Sequence, residues 1–267
     1  SAKHPASAQL PNIDSLKLRL VEYLQASYDP VFGGFYNQPK FPNETNLSFL
    51  LKSHSNKPNK DIYDIAKNSL DIIASSALFD HVAGGFHRYA TDREWRVPHF
   101  EKMLYNQSQL VLNYVDLYKL TAEPDARKYY KFIIEKTLDF VVREMSSKNS
   151  LFYSAYDSQT NQIEGESYAW TEKELAKIFS KSELADFNKF FHLADIPTPR
   201  GHKNNSGNTI SLKKPIFQLS QDYDIAIVDL IGKFELLSDK LFQTRNERER
   251  PRLDDKIITG WNALMSK

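Results

Sequence analysis

Apolar positions along this chain recur mostly at three- and four-residue spacing, the stripe of an amphipathic helix. With Asp14 read as an N-cap, Leu16, Leu20, Tyr23 and Leu24 share one face of a helix that runs to about Ser27. Two further helices are predicted from Asn46 to His54 and from Asp61 to Phe79, the latter carrying Ile62, Ile65, Ala66, Leu70, Ile73 and Leu78. A fourth begins near Pro98 and runs to Leu120, with Leu104, Val111, Val115 and Tyr118 on its stripe. A fifth spans Pro124 to Met145, where Pro124 suits a first helical turn. Asp29-Pro30, Gly33-Gly34 and Gln38-Pro39-Lys40-Phe41-Pro42 deny helix to the first connection, because three prolines fix an extended path. Gly84-Gly85 opens an extended arm in which Phe86, Arg88 and Ala90 alternate with His87 and Tyr89.

After Leu151 the period changes. LFYSAYD and ESYAWT are short, aromatic and alternating, and predict a hairpin joined by SQTNQIEGE. Thr171 to Glu174 has the spacing of a capping box for a helix through Phe179. Ser182 starts another to about His192, and 196–207, rich in Pro, Gly and Asn, reads as an irregular loop. A long helix follows from Ser220 or Asp222 to about Glu249, with Ile227, Leu230, Phe234, Leu237 and Leu241 inward. Asp254-Asp255 reads as the N-cap of a last helix in ITGWNALM. Its apolar stripe stops at Lys267 with no successor to cover it, so a longer parent chain is expected. The 1–12 segment reads as a linker or disordered. Paired long helices with unusual residues in their loops predict stacked helical hairpins.

Composition narrows the functional classes. A chain of 267 residues can bury a sizeable core. A net charge of +1 gives no global field for nucleic acid or an anionic membrane. No apolar run has membrane-spanning length. With no cysteine, disulfides, thiolate nucleophiles and cysteine-bound metals are excluded within the chain. That fits a reducing, cytoplasmic setting. No metal or cofactor is expected, since no zinc-protease, phosphate-loop or nucleophile-elbow motif is present.

The densest chemistry lies between Gly84 and Tyr105, which hold two histidines, three arginines, a tryptophan and several further aromatics. If Pro98 starts a helix, His99 and Glu101 sit in its first turn, where free N–H groups favour a carboxylate and a neutral imidazole. His99 is then the acid/base candidate, with Glu101 and Asp157 as partner carboxylates for a catalytic set. Arg88, Tyr89, Asp92, Trp95, Tyr105, Glu166, Asp254, Asp255, Trp261 and Asn262 are candidates for positioning a substrate. Aromatic faces beside hydroxyl-binding acids and arginines suit a sugar ring. Each residue alone has a plainer role: Glu101 pairing with Arg88 or Arg96, the aromatics packing over helix ends, Asp254 capping. Glu164-Gly165-Glu166 carries only a weak cation signal. His54, His81 and His192 read as structural, and the ERERPR run as a solvated helix end.

Four blocks in order, GGFYNQPKFP at 33–42, GGFHRYATDREWRVPHFEKMLYNQSQL at 84–110, EGESYAWT at 164–171 and RPRLDDKIITGWNALM at 250–265, resemble the spermatogenesis-associated protein 20 family, whose bacterial members are called YyaL-like. The resemblance implies an all-α (α/α)6 toroid like those of six-hairpin glycosidases and N-acylglucosamine 2-epimerases, with short β-hairpins in its loops. It implies a preceding thioredoxin-like domain and later hairpins in the parent chain as partners of this segment. Here 1–267 is then a single incomplete toroid domain, truncated at its C-terminus. Two departures are visible: Asp157-Ser158-Gln159-Thr160 replaces a second acidic pair, and the turn at 201–205 is altered. The kinship implies sugar chemistry by analogy, because fold alone does not fix function. The expected function is a carbohydrate-binding, enzyme-like toroid, related to sugar epimerases or glycosidases and inactive as a fragment, with a small sugar as ligand. The alternative is a non-catalytic scaffold beside the redox domain. Neither reading involves nucleic acid or a membrane.

Overall fold

The computed structural model describes residues 12–197 and 207–267. The expectation for 1–12 therefore lies, apart from Asn12, outside the described residues, as does most of the 196–207 loop. Ten helices are described: α1 (Ile13–Ser27), α2 (Glu44–Asn56), α3 (Lys60–Ser75), α4 (Leu104–Leu120), α5 (Pro124–Glu144), α6 (Glu172–Ile178), α7 (Lys181–Phe190), α8 (Ile216–Tyr223), α9 (Ile227–Asn246) and α10 (Thr259–Met265). Their starts follow local chemistry. Asn12, not Asp14, caps α1 by accepting the Asp14 N–H at 2.9 Å. Thr171 with Glu174 and Ser180 with Glu183 form capping boxes at α6 and α7.

The helices lie in two layers. α2, α4 and α10 pack side by side, while α1, α3, α5 and α9 lie outside them, α3 against α2 and α5 against α4. This is the double-walled arc of an (α/α) toroid. Between the walls sits one large apolar core, including Leu47, Leu50, Leu70, Ile73, Leu110, Tyr114, Tyr130, Leu230 and Phe234. At the outer edge α1 contributes Leu24 alone to the fully buried set. Leu16, Leu20 and Tyr23, expected beside it, are 43, 40 and 55% exposed, because α1 packs on α3 through only one side.

Short strands stitch the connections: β1 (Tyr89–Ala90), β2 (Pro98–His99), β3 (Lys102–Met103), β4 (Ala155–Tyr156), β5 (Gln159–Thr160), β6 (Ile163–Glu164), β7 (Phe191–Asp195), β8 (Asn208–Leu212) and β9 (Leu253–Asp254). They correct the sequence reading in several places. No helix starts at Pro98: Pro98 pairs with Ala90, His99 with Tyr89, and Lys102 and Met103 pair with Tyr156 and Ala155. The hairpin expected between 151–157 and 166–171 instead forms inside the linking segment, as β5–β6. β4 pairs on both sides, with β3 and β9. Asp254 belongs to β9 and does not cap α10, whose N-cap position is Ile258. His192 lies in β7 rather than at a helix end. The long final helix is two, α8 and α9, separated at the left-handed Asp224 (φ 52°). α3 stops at Ser75, where the Ser76 hydroxyl accepts the Leu78 N–H at 3.1 Å.

A repeat unites the loops. Asp29-Pro30-Val31-Phe32-Gly33-Gly34-Phe35 after α1 and Asp80-His81-Val82-Ala83-Gly84-Gly85-Phe86 after α3 fold alike. Asp29 accepts the N–H groups of Val31 and Phe32 at 3.1 and 3.2 Å, and Asp80 those of Val82 and Ala83 at 3.0 and 3.3 Å. Bridges Tyr28–Phe35 and Phe79–Phe86 close the two turns. α5 ends in a related turn closed by Ser146–Phe152, with Ser147 accepting N–H groups in place of the aspartate.

Each aspartate is then gripped twice. Lys40 Nζ lies 2.7 Å from Asp29, and Arg93 binds the same carboxylate through two nitrogens at 2.8 and 3.0 Å. Lys102 Nζ lies 2.6 Å from Asp80, and Arg245 binds it at 3.0 and 2.9 Å. In both, the lysine comes from the loop's own return, whereas the arginine comes from a later segment: Arg93 from the β1–β2 turn and Arg245 from α9. The loops thereby lock the pairs together at one end of the arc, the end where α2, α4 and α10 begin.

Candidate functional site

Hairpin β1–β2 sets Tyr89 and His99 opposite each other. Their rings stack at 5.0 Å, and Phe41 stacks on the far side of Tyr89 at 4.7 Å. β6 brings Glu164 to the other flank of the imidazole, with Oε1 at 3.0 Å from His99 Nδ1. His99 Nε2 is 3.7 Å from Glu101 Oε2, beyond hydrogen-bond distance. Glu101 is held at 3.0 Å by the Arg88 guanidinium, which lies beside Tyr105 in the first turn of α4. Tyr105 meets Trp261 of α10 at 5.1 Å. Sequence candidates from four separate segments, Arg88, Tyr89, His99, Glu101, Tyr105 and Trp261, thus form one continuous patch. It stays open to solvent: the His99 side chain is 27% exposed, Glu101 23% and Glu164 29%.

Burial alone would raise the Glu164 carboxyl. The His99 contact, the Ser158 hydroxyl at 2.7 Å and the Phe100 N–H at 3.2 Å overcome it and hold the group below the usual carboxylate range. An ionised Glu164 against Nδ1 selects the tautomer that carries its proton there. Nε2 then keeps a lone pair, so the arrangement can accept a proton from a bound molecule. This differs from the sequence argument in cause. His99 lies in β2 and Glu101 between β2 and β3, neither in a helix, and a carboxylate rather than a helix dipole orients the imidazole.

Sheet β3–β4–β9 positions more acids. Its buried face carries Lys102 and Tyr156, so alternation puts Asp254 on the opposite one. Continuing the register one residue sets Glu101 opposite Asp157, and Asp157 opposite Arg252, whose carbonyl accepts the Asp157 N–H at 2.8 Å. The Asp157 carboxylate accepts the Gln159 N–H at 3.2 Å. Asp254 binds Lys256 at 2.8 Å, and Asp255 is exposed.

Other candidates are committed elsewhere. Trp95 is wholly buried and donates Nε1–H to the Phe32 carbonyl at 2.9 Å. Asp92 accepts the N–H groups of Arg96 and Val97, closing the β1–β2 turn. Asn262 accepts the Phe152 N–H at 2.8 Å and donates back to its carbonyl at 2.9 Å, fastening α10 to the strand before β4. Glu166 lines a 410 Å³ cavity with Thr160, Asn161, Thr171, Glu174 and Arg248, on the other side of the β5–β6 hairpin. A larger cleft of 620 Å³ runs between α3 and β8, past Trp95 and Arg96. His99, Glu101 and Glu164 line neither.

Sequence reasoning passed over Glu164, which stood among several loop acids. Only the pairing of β5 with β6 turns it toward His99, and a two-residue turn at Asn161-Gln162 sets that register. Also missed were Lys40 and Lys102, charged residues with no exposed surface, whose partners come from distant segments. His87, by contrast, is 3% exposed, and burial pushes its imidazole down to about 3, so it stays neutral in the core. Among the described residues no group of three or more His, Asp or Glu could hold a metal ion, and no helix is long and apolar enough to cross a membrane.

No family model matches the chain. It is similar to spermatogenesis-associated protein 20 of Homo sapiens, with 29% identity over 280 residues, 96% of this chain and 35% of the relative. The Mus musculus protein of that name is 29% identical over 285 residues, 98% of this chain and 35% of the relative. The chain therefore spans about a third of the length of these curated relatives. Among solved structures, a cellobiose 2-epimerase from Bacillus thermoamylovorans B4167 aligns over 92% of this chain and 77% of its own, with a TM-score of 0.44 and 12% identity. A sugar epimerase from a ruminal bacterium aligns over 58% of this chain and 43% of its own, with a TM-score of 0.47 and 15% identity.

Proposed function

We propose, from the premise that this chain is homologous to spermatogenesis-associated protein 20, that the His99 patch binds a sugar and moves a proton on it. The observation that carries this reading is the 3.0 Å contact between Glu164 and His99 Nδ1, with Nε2 in no hydrogen bond to another described residue. A base oriented by a carboxylate and open to solvent fits removal of a proton from the carbon beside a sugar carbonyl. His99 would keep the proton it removes, and a second acid, from solvent or another side chain, would protonate the opposite face and invert the centre, as in an epimerase. Arg88, fixed by Glu101, presents its remaining edge beside Tyr105, and the exposed ring of Phe41 and the half-buried ring of Trp261 offer faces for the C–H side of a sugar. Glycoside hydrolysis fits less well, because the two carboxylates nearest His99 are both engaged, one by Arg88 and one by Ser158 and His99.

A scaffold without chemistry remains the second reading. It is supported by Trp95, Asp92 and Asn262, whose polar groups all serve loop architecture. Partial exposure of His99, Glu101 and Glu164 favours the first. The test is calorimetric titration with monosaccharides and N-acyl amino sugars, coupled to solvent deuterium uptake at the carbon beside the carbonyl. Binding that falls at least tenfold in His99→Ala, with exchange abolished in Glu164→Gln, is expected. Equal binding by wild type and His99→Ala would overturn the proposal, and binding without exchange would favour the scaffold.

A further inference from the structure

The 620 Å³ cleft between α3 and β8 takes no part in the His99 patch, and its volume suits a small organic molecule. Separate segments build it. Phe32 comes from the loop after α1, Ile72 from α3, Arg96 from the β1–β2 turn, His192 from β7, and Lys213 and Pro215 from the connection between β8 and α8. Phe32, Ile72 and Pro215 are half-buried and give it an apolar wall, whereas Arg96, His192 and Lys213 are exposed. Burial, and then the charges of Arg96 and Lys213, push the His192 imidazole below its ordinary value, so both cations lie within electrostatic reach of one ring.

The charges lining the cleft do not cancel. Lys214 is met by Asp222 at 2.6 Å. Arg96 makes no ion pair among the described residues, and the Lys213 ammonium donates only to the Asn188 carbonyl, at 2.5 Å. Residues 1–11 and 198–206, outside the described ones, contain no aspartate or glutamate, so they hold no side-chain carboxylate for either cation. Glu94, the one acid on the lining, also acts on Lys40 and Arg93. Counted wholly against Arg96, it still leaves Lys213 in excess.

We propose that this cleft is a second binding site, for a small organic anion whose acidic group lies among Arg96, His192 and Lys213 and whose apolar body lies along Phe32, Ile72 and Pro215. A guanidinium meets a carboxylate or an ester of phosphate or sulfate through two parallel N–H donors, and an ammonium adds a point charge. The apolar wall adds contact that a bare inorganic ion cannot use. The site is independent of the sugar-binding reading, since His99, Glu101 and Glu164 lie outside it.

The experiment titrates the 267-residue chain with 2-naphthoate, with 2-naphthamide of nearly the same shape but no charge, and with inorganic sulfate. Naphthoate is expected to bind at least tenfold more tightly than either of the others, and less tightly as salt is added. Arg96→Gln and Lys213→Gln, both at exposed side chains, should each weaken it several-fold. The His192 imidazole, followed by NMR across a pH titration, should take its proton at higher pH with naphthoate bound, because a carboxylate beside the ring favours the charged form. Naphthamide binding as tightly as naphthoate would overturn the proposal. So would no binding of naphthoate, or binding that both variants leave unchanged. Sulfate binding as tightly as naphthoate would overturn the apolar half of the site.

Discussion

At the scale of single residues, the most consequential groups are buried and ionised. Asp80 sits 6% exposed between Lys102 and Arg245. Burial opposes its charge, but the two cations hold its carboxyl well below the usual range. Asp80→Asn strands both cations, and should lower unfolding free energy by about 3–5 kcal/mol in denaturant titration. A loss under about 1 kcal/mol would mean the network is solvated. His87, beside it, titrates in the opposite chemical sense with the same outcome. Unfolded, it takes a proton near 6.5; folded, only near 3. The unfolded chain therefore binds more protons across that window, and stability falls as the pH drops through it, by about 1.4 kcal/mol per pH unit from this group. Asp80 adds a further loss below its ordinary range near 3.8, as acid reaches its depressed folded value. Denaturant unfolding between pH 6 and 4 should show this slope, and His87→Asn should reduce it by about the same 1.4 kcal/mol per unit. An unchanged slope would place the imidazole in water.

At the scale of elements, helical periodicity recovered the five N-terminal helices and the inward face of α9. Leu230, Phe234, Leu237 and Leu241 are all buried as their spacing required. It failed where pairing is non-local. Residues 98–103 hold a proline, acids and an apolar run that suit a helix start. Yet their backbone is claimed by Tyr89–Ala90 on one side and Ala155–Tyr156 on the other. Nothing within a local window reveals a partner more than fifty residues away. The Gly-Gly turns were legible as turns, though their shared aspartate and its two cations were not. Gly84 shows why the turn is demanding. It has φ +79°, and a Cβ there would lie 2.2 Å from the Lys136 carbonyl. Gly84→Ala is accordingly expected to cost roughly 2–3 kcal/mol in thermal or denaturant unfolding. Stability within about 0.5 kcal/mol of wild type would contradict the turn geometry.

At the scale of the whole molecule, the loops that join outer to inner helices collect at one end of the arc, and the candidate patch is their product. The structure brings Arg88, Tyr89, His99, Glu101, Tyr105 and Trp261, from separate sequence blocks, into one patch. It also assigned Trp95, Asp92 and Asn262 to holding that assembly together. The convex edge at α1 has no comparable role among the described residues. Leu16→Gln and Leu20→Gln lie on its exposed side and should leave unfolding free energy within about 0.5 kcal/mol of wild type. A larger loss would mean the stripe is covered in solution.

The account depends most on His99 being a carboxylate-oriented base at a sugar-binding surface. Long-range nitrogen–proton NMR correlations on histidine-labelled protein, recorded during a titration with glucosamine, test it directly. The account predicts a His99 imidazole protonated at Nδ1 and bare at Nε2, whose resonances move with added sugar while those of buried His87 stay fixed. A bare Nδ1, or a His99 signal that ignores a sugar that demonstrably binds, would contradict it.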